Sequence, residues 1–210
     1  TYPRDEAADI NKLQAEGVDL LFVPSVTEMY PAGAATTVSV VGLTDCLCGI
    51  TRPDFFDGVA TVVTKLLLQA LPNTAIFGEK DYQQLVVIKR FTKDLDIPVE
   101  ILGGPTVRDA DGLALSSRNA YLRAGDRGRA PELFAALKTA AASIAAGAQS
   151  PDVAIGAARQ KIENAGFGPI DYLEHRDAEN LAPAMPDQPS RLLVAAWLGN
   201  TRLIDNVAVV

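Results

Sequence analysis

Two short stretches carry the residue types that phosphate and carboxylate chemistry needs. The first is Phe77-Gly-Glu-Lys-Asp-Tyr-Gln-Gln84, placed where an apolar β-type run gives way to a helical pattern. In parallel α/β sheets ligands bind in the crevice beyond the carboxyl ends of the strands. A helix start there presents free N–H groups and a positive dipole end, to which Lys80 adds a full charge. Gly78 allows close backbone approach to a ligand, and Asp81 can accept from ribose hydroxyls or cap the helix. Of Gln83 and Gln84, which project about 100° apart on a helix, one is expected to offer its amide to a hydroxy acid in the crevice. The second stretch is Gly112-Leu-Ala-Leu-Ser-Ser-Arg-Asn119. Ser116, Ser117 and Arg118 suit the outer phosphates of a nucleotide, the guanidinium stabilising a leaving pyrophosphate, although the same residues also suit a helix cap.

Elements that would position these stretches follow from periodicity and punctuation. The spacing predicts a helix over 5–16 closed by Gly17, then strands at 18–23 and 36–41. A buried helix over 56–71 ends before Pro72-Asn73 and leads into a strand at 74–77. An amphipathic helix over 81–95 and a strand at 99–102 complete a βαβ unit of a parallel sheet. Beyond Val107 the texture changes. A turn at 108–112 precedes alanine-rich helices at about 126–146 and 151–165, then β-runs at 170–176, 191–198 and 201–210, the last two joined by the hairpin dipeptide Gly199-Asn200. The expected organisation is a parallel-sheet domain over 1–106 and a smaller α+β domain over 107–210.

Composition narrows the function. With 48% hydrophobic and 21% charged residues the chain of 210 residues is of the globular class. Its net charge of −7 argues against nucleic-acid binding, which needs a basic face. No apolar run reaches the ~20 residues of a membrane helix, so no membrane partner is expected. Cys46 and Cys48, the only cysteines, are too close in sequence to close a stabilising loop or complete a zinc site, and read as reduced thiols that help fill a core in a cytoplasmic protein. His175, the only histidine, lies in a β-run far from both stretches and reads as structural. Neither a Ser-His-Asp triad nor a protein metal site is expected.

The paired stretches, in this order and at this separation, resemble pantothenate synthetases (pantoate–β-alanine ligases). Tyr2-Pro-Arg4, Met29-Tyr-Pro31, Thr51-Arg-Pro53, Pro105-Thr-Val-Arg108, Val194-Ala-Ala196 and Arg202-Leu-Ile-Asp-Asn206 extend the resemblance over almost the whole chain. It implies a Rossmann-like nucleotidyltransferase sheet followed by a smaller covering domain, in a cytoplasmic homodimer that uses ATP and Mg²⁺. It also implies a reaction in which pantoate attacks the α-phosphorus of ATP, giving pantoyl adenylate and pyrophosphate, after which β-alanine displaces AMP. By motif match, Gly78, Glu79, Lys80, Asp81, Val107, Leu115, Ser116, Ser117 and Arg118 would contact ATP, with Val107 and Leu115 bordering the adenine. Lys80 and Arg118 would be catalytic, and Gln84 would bind pantoate.

Two departures from the family pattern stand out. The histidine-bearing helix start of the His-x-Gly-His type that binds ATP, and an upstream glutamine that holds pantoate and β-alanine, have no counterpart in these residues, so the first third of a typical member is expected to be missing and the chain alone to be inactive. Cys48 and Phe55 stand where an acidic residue and a histidine are usual; Arg52, between them, is retained. Alternative readings are another adenylate-forming enzyme of the same superfamily, which would keep the ATP contacts without Gln84, and a non-catalytic fragment or interaction module.

Overall fold

The computed structural model describes residues 5–210; the Tyr2-Pro-Arg4 signature lies outside them. Contacts divide the chain into a short unit ending at Thr36 and a large unit, Thr37–Val210.

In the short unit, α1 (Glu6–Ala15) starts at Asp5, whose carboxylate accepts from the Ala8 N–H, and Gly17 follows at φ 73°. The helix Val26–Met29 (α2) opens with a capping box between Ser25 and Glu28. Between them the expected strand at 18–23 does not form: among the described residues nothing pairs with it, and Leu20, Phe22 and Val23 are exposed. β-propensity favours an extended backbone, but a strand needs a neighbour's N–H and C=O groups.

The large unit opens on residues 37–40, where the expected strand at 36–41 does not form, followed by a turn at 41–44. Side chains bond to the backbone of 37–40 instead: Thr61 Oγ1 accepts from the Val38 N–H and the Thr44 hydroxyl donates to the Val40 carbonyl. A single turn, α3 (Cys48–Thr51), precedes α4 (Phe55–Ala70), which stops at Leu71 in a left-handed conformation before Pro72. Strand β1 (Thr74–Gly78), a 3₁₀ turn at Glu79–Asp81, α5 (Tyr82–Asp94) and β2 (Glu100–Gly104) then follow as expected, β1 and β2 pairing in parallel from Thr74↔Glu100 to Gly78↔Gly104. The expected helix at 126–146 is two helices, α6 (Ala124–Arg129) and α7 (Glu132–Ala145). Pro131 lacks the N–H that would continue α6, while its fixed φ suits the start of α7. Helix α8 (Pro151–Asn164) leads into an antiparallel sheet of order β3 (Phe167–Asp177), β4 (Ser190–Leu198) and β5 (Thr201–Val209), with Gly199-Asn200 as the β4–β5 turn.

Strand alternation explains how this sheet carries two cores. Leu192, Val194, Ala196 and Leu198 of β4 pack with α7 and α8, while Leu193 and Ala195 face Phe56, Ala60, Val86 and Phe91 of α4 and α5. A strand buried on both faces reads as a continuous apolar run, as Leu192–Leu198 does. The architecture is therefore mixed α/β, with a small parallel sheet and a C-terminal antiparallel sheet packed on both faces. Through the second core, β5 is brought alongside the β1–α5 turn.

Candidate active site

A cleft opens at the start of α5. Its lining includes Lys80, Asp81 and Gln84 from the β1–α5 turn, Arg52 and Phe55 from the start of α4, Arg118 from the loop after β2, and Arg202 from β5. Four residues nominated from the sequence, Lys80, Asp81, Gln84 and Arg118, thus share one cleft. A smaller adjoining hollow adds Ser116 beside Lys80 and Arg118.

Local structure accounts for each placement. The Asp81 side chain makes no helix-capping hydrogen bond and is exposed at the cleft, so the capping role open to it in the sequence is not taken up. Gly78 closes β1 with open space around its Cα, and Glu79 turns away to meet Arg191 Nη2 at 3.3 Å. Ser116 caps the 3₁₀ turn Ser117–Tyr121, accepting from the Arg118 N–H at 3.2 Å; Ser117, at the start of that turn, is exposed. Val107 and Leu115 are both exposed and face each other across a short hairpin, where the Leu115 N–H donates to the Val107 carbonyl at 2.9 Å. Gly112 at φ 94° makes the turn of that hairpin, and a Cβ there would come within 3.0 Å of Phe134.

Both glutamines line the cleft, against the expectation that only one would face it, and they differ in how their amides are engaged. Gln83 is buried: its Oε1 accepts from the Cys48 N–H at 3.0 Å, and its Nε2 donates to the Leu43 and Cys46 carbonyls at 2.9 Å each. Its hydrogen-bonding capacity is spent on holding residues 43–48 against α5. Gln84, half-buried, makes no such bonds among the described residues and remains available at the cleft.

The electrostatics are those of an anion site in an acidic protein. Among the described residues no carboxylate forms an ion pair with Arg52, Lys80 or Arg118. Burial, and next the nearby positive charge of Arg118, push the Arg52 pKa below its ordinary value, so these guanidiniums feel one another. Arg202 differs, since Nε donates to Asp171 Oδ2 at 2.6 Å while Asp171 Oδ1 also accepts from Trp197 at 3.2 Å. Burial works against its charge, but Asp171 and the neighbouring Cys48 thiol more than compensate, and its pKa is raised.

Both departures noted in the sequence line this cleft. Cys48 is buried, its Sγ 3.1 Å from the Tyr172 hydroxyl and 3.6 Å from Arg202 Nη2, and the Phe55 ring lies under the Arg52 guanidinium at 3.5 Å. Cys46 packs beside the same core and, chiefly through burial, its thiol pKa is raised. His175 lies in β3, 2.8 Å from the Ser190 hydroxyl, with its pKa lowered by burial, and it does not line the cleft.

Sequence reasoning did not assign roles to Arg202, Asp205 and Asn206, all of which line the cleft. The signal was there in the Arg202-Leu-Ile-Asp-Asn206 run, where three polar residues interrupt an apolar strand. Asp205 and Asn206 are buried, and buried polar groups in a strand demand partners.

Comparison with known proteins agrees with this geometry. A family model described as pantoate-beta-alanine ligase matches residues 1–208. The pantothenate synthetase of Paramagnetospirillum magneticum is 57% identical over 209 residues, covering 99% of this chain and 73% of that protein; the one from Caulobacter vibrioides is 55% identical over 212 residues, covering 99% and 74%. Among solved structures, pantothenate synthetase from Thermus thermophilus superposes with a TM-score of 0.93 at 47% identity, covering 99% of this chain and 76% of that one. Pantoate-beta-alanine ligase from Francisella tularensis, complexed with beta-gamma ATP and beta-alanine, does so with 0.79 at 33% identity, covering 99% and 71%. With a family model spanning nearly every residue and relatives above half identity, this chain belongs to the pantothenate synthetase (pantoate–β-alanine ligase) family.

Proposed function

We propose that this chain contributes the nucleotide- and pantoate-binding cleft of an ATP-dependent ligase that joins pantoate to β-alanine through pantoyl adenylate. The observation that carries the reading is the convergence of Arg52, Lys80 and Arg118, three cations with no carboxylate partner among the described residues, beside the amide of Gln84 at the start of α5. Such a set fits a polyphosphate next to a hydroxy acid. On this reading residues 1–106 belong to a Rossmann-like nucleotidyltransferase domain and 107–210 to a smaller domain that covers it, the protein acting as a cytoplasmic homodimer.

ATP supplies an electrophilic α-phosphorus. The pantoate carboxylate attacks it, the bond to the bridging oxygen of pyrophosphate breaks, and the β-alanine amine then attacks the acyl carbon to release AMP. Gln84 orients pantoate through its hydroxyl and carboxylate. Lys80 and Arg118 neutralise charge building on the phosphates, and Ser116 and Ser117 donate to their outer oxygens. Asp81 accepts from the ribose, and the apolar pair Val107 and Leu115 border the adenine. Glu79, tied to Arg191, contributes to this site through the turn it anchors. Mg²⁺ would enter with the nucleotide and neutralise phosphate charge; among the described residues there is no group of three or more His, Cys, Asp or Glu side chains suited to a metal ion. Positioning and charge stabilisation suffice for such chemistry without a covalent nucleophile.

The full-length protein carrying this chain is expected to release AMP and pyrophosphate only with ATP and pantoate both present, as followed by chromatography of the nucleotide products. ADP formation, or turnover independent of pantoate, would sink the reading. The 210 residues by themselves are expected to show no turnover. The histidine-bearing phosphate site implied by the family resemblance has no counterpart among them, and His175 is engaged with Ser190 away from the cleft. Robust AMP release by the pure 210-residue polypeptide would overturn that expectation.

A further inference from the structure

We propose that Asp205 and Asn206, neighbours on β5, are a positioning pair that sets the spacing between the two phosphate-binding segments of the cleft; this rests on the functional reading above. Successive strand residues point to opposite faces. Leu203 and Val207 accordingly pack into one core and Ile204 into the other, so Asp205 and Asn206 reach in different directions from one rigid strand. Each grips a different loop.

Asn206 holds the β1–α5 turn. Its Nδ2 donates to the Glu79 carbonyl at 2.9 Å and to the Lys80 carbonyl at 3.1 Å, fixing the backbone from which the Lys80 side chain enters the cleft. Its Oδ1 accepts from Arg191 Nη1, and the same guanidinium reaches Glu79 Oε2 and lies 4.0 Å from the Tyr82 ring centre. Amide and guanidinium together therefore clamp residues 79–82.

Asp205 holds the hairpin that delivers Ser116 to Arg118. It receives both arms of the Arg108 fork, Nη1 to Oδ2 at 2.7 Å and Nη2 to Oδ1 at 2.8 Å, and Arg108 Nη1 also donates to the Gly112 carbonyl at 3.1 Å. The Arg108 guanidinium stacks on Phe134 of α7 at 3.6 Å. Asp205 and Asn206 are only 5% and 4% exposed, so water does not substitute for either partner without local opening. Because the two residues are adjacent on a hydrogen-bonded strand, the Lys80 turn and the Ser116–Arg118 loop share one reference frame, which is what an inflexible polyphosphate clamp requires.

Hydrogen–deuterium exchange and steady-state kinetics on the full-length protein test this together. Asn206→Asp keeps an acceptor for Arg191 but removes both donations; Asp205→Asn breaks the charged fork, and Arg108→Lys does so more mildly should that variant fold poorly. Asn206→Asp is expected to speed exchange in 78–84 while sparing 107–118, and the Asp205 or Arg108 variant to do the reverse. Each should raise KM for ATP by about tenfold or more, a displacement effect on positioned groups, with KM for pantoate moving less. Exchange and KM for ATP within twofold of wild type, or equal loosening of both loops by every variant, would overturn the proposal. A wild-type protein with no pantoate-dependent AMP release would refute the functional reading instead, and the exchange patterns would still decide whether the pair holds the loops.

Discussion

Lys80→Ala, in a full-length background, is expected to lower adenylate formation by at least ~100-fold while leaving the fold intact, since removing one electrostatic contact to developing charge typically costs about 2.7–4 kcal/mol in the transition state. Its main chain explains why the fold should survive. The Lys80 carbonyl is held by Asn206, and among the described residues the ammonium forms no ion pair, so truncation removes charge from the cleft without releasing the turn. Circular dichroism and thermal unfolding would report the fold, and AMP release in the presence of ATP and pantoate the chemistry. Near-normal turnover with an unchanged spectrum would make Lys80 a solvated helix end.

The adjacent glutamines should respond in opposite ways. Gln83→Leu strips partners from the buried Cys48 N–H and from the Leu43 and Cys46 carbonyls. The Cys46 carbonyl keeps the Gly49 N–H at 2.9 Å; with the Cys48 N–H and the Leu43 carbonyl losing Gln83 at about 1–3 kcal/mol each, the variant should lose about 3 kcal/mol in urea unfolding. Gln84→Leu breaks no hydrogen bond among the described residues and should unfold like wild type, yet raise KM for pantoate by about tenfold, the value of one lost hydrogen bond to a charged or strongly polar group. Should Gln84→Leu unfold early, or Gln83→Leu alone weaken pantoate, the assignment of one glutamine to the fold and the other to the ligand would be wrong.

Legibility in the sequence followed the range of the interactions involved. The β1–α5–β2 unit could be read because Pro72 and Pro98 punctuate it, its strands are short β-rich runs, and α5 carries its apolar stripe locally. The β4–β5 hairpin was equally plain from Gly199-Asn200 between apolar runs. Val18–Val23 and residues 36–41 have the composition of strands and are not strands, because a ladder belongs to two segments and composition describes one. The long helix expected at 126–146 failed for a local reason that was visible, Pro131, whose missing N–H ends one helix while its ring starts another.

Sequence by itself determined the chemistry available at the β1–α5 turn: a lysine, an aspartate and two glutamines at a helix start, with a serine-rich arginine loop further along the chain. The first four are near neighbours in the chain, and helix periodicity led to the expectation that only one of the two glutamines faces the crevice. Only the tertiary structure showed that both line the cleft and that Gln83's amide is taken up by partners 35 to 40 residues away in sequence, while Gln84 makes no hydrogen bond among the described residues. It alone brought Arg52, Arg202, Asp205 and Asn206 to the same cleft, the last reaching across 126 residues to the Lys80 carbonyl. Such pairings depend on two cores closing on opposite faces of one antiparallel sheet, and a buried polar side chain in a strand announces only that it needs a partner; which one it finds is fixed when the sheet packs.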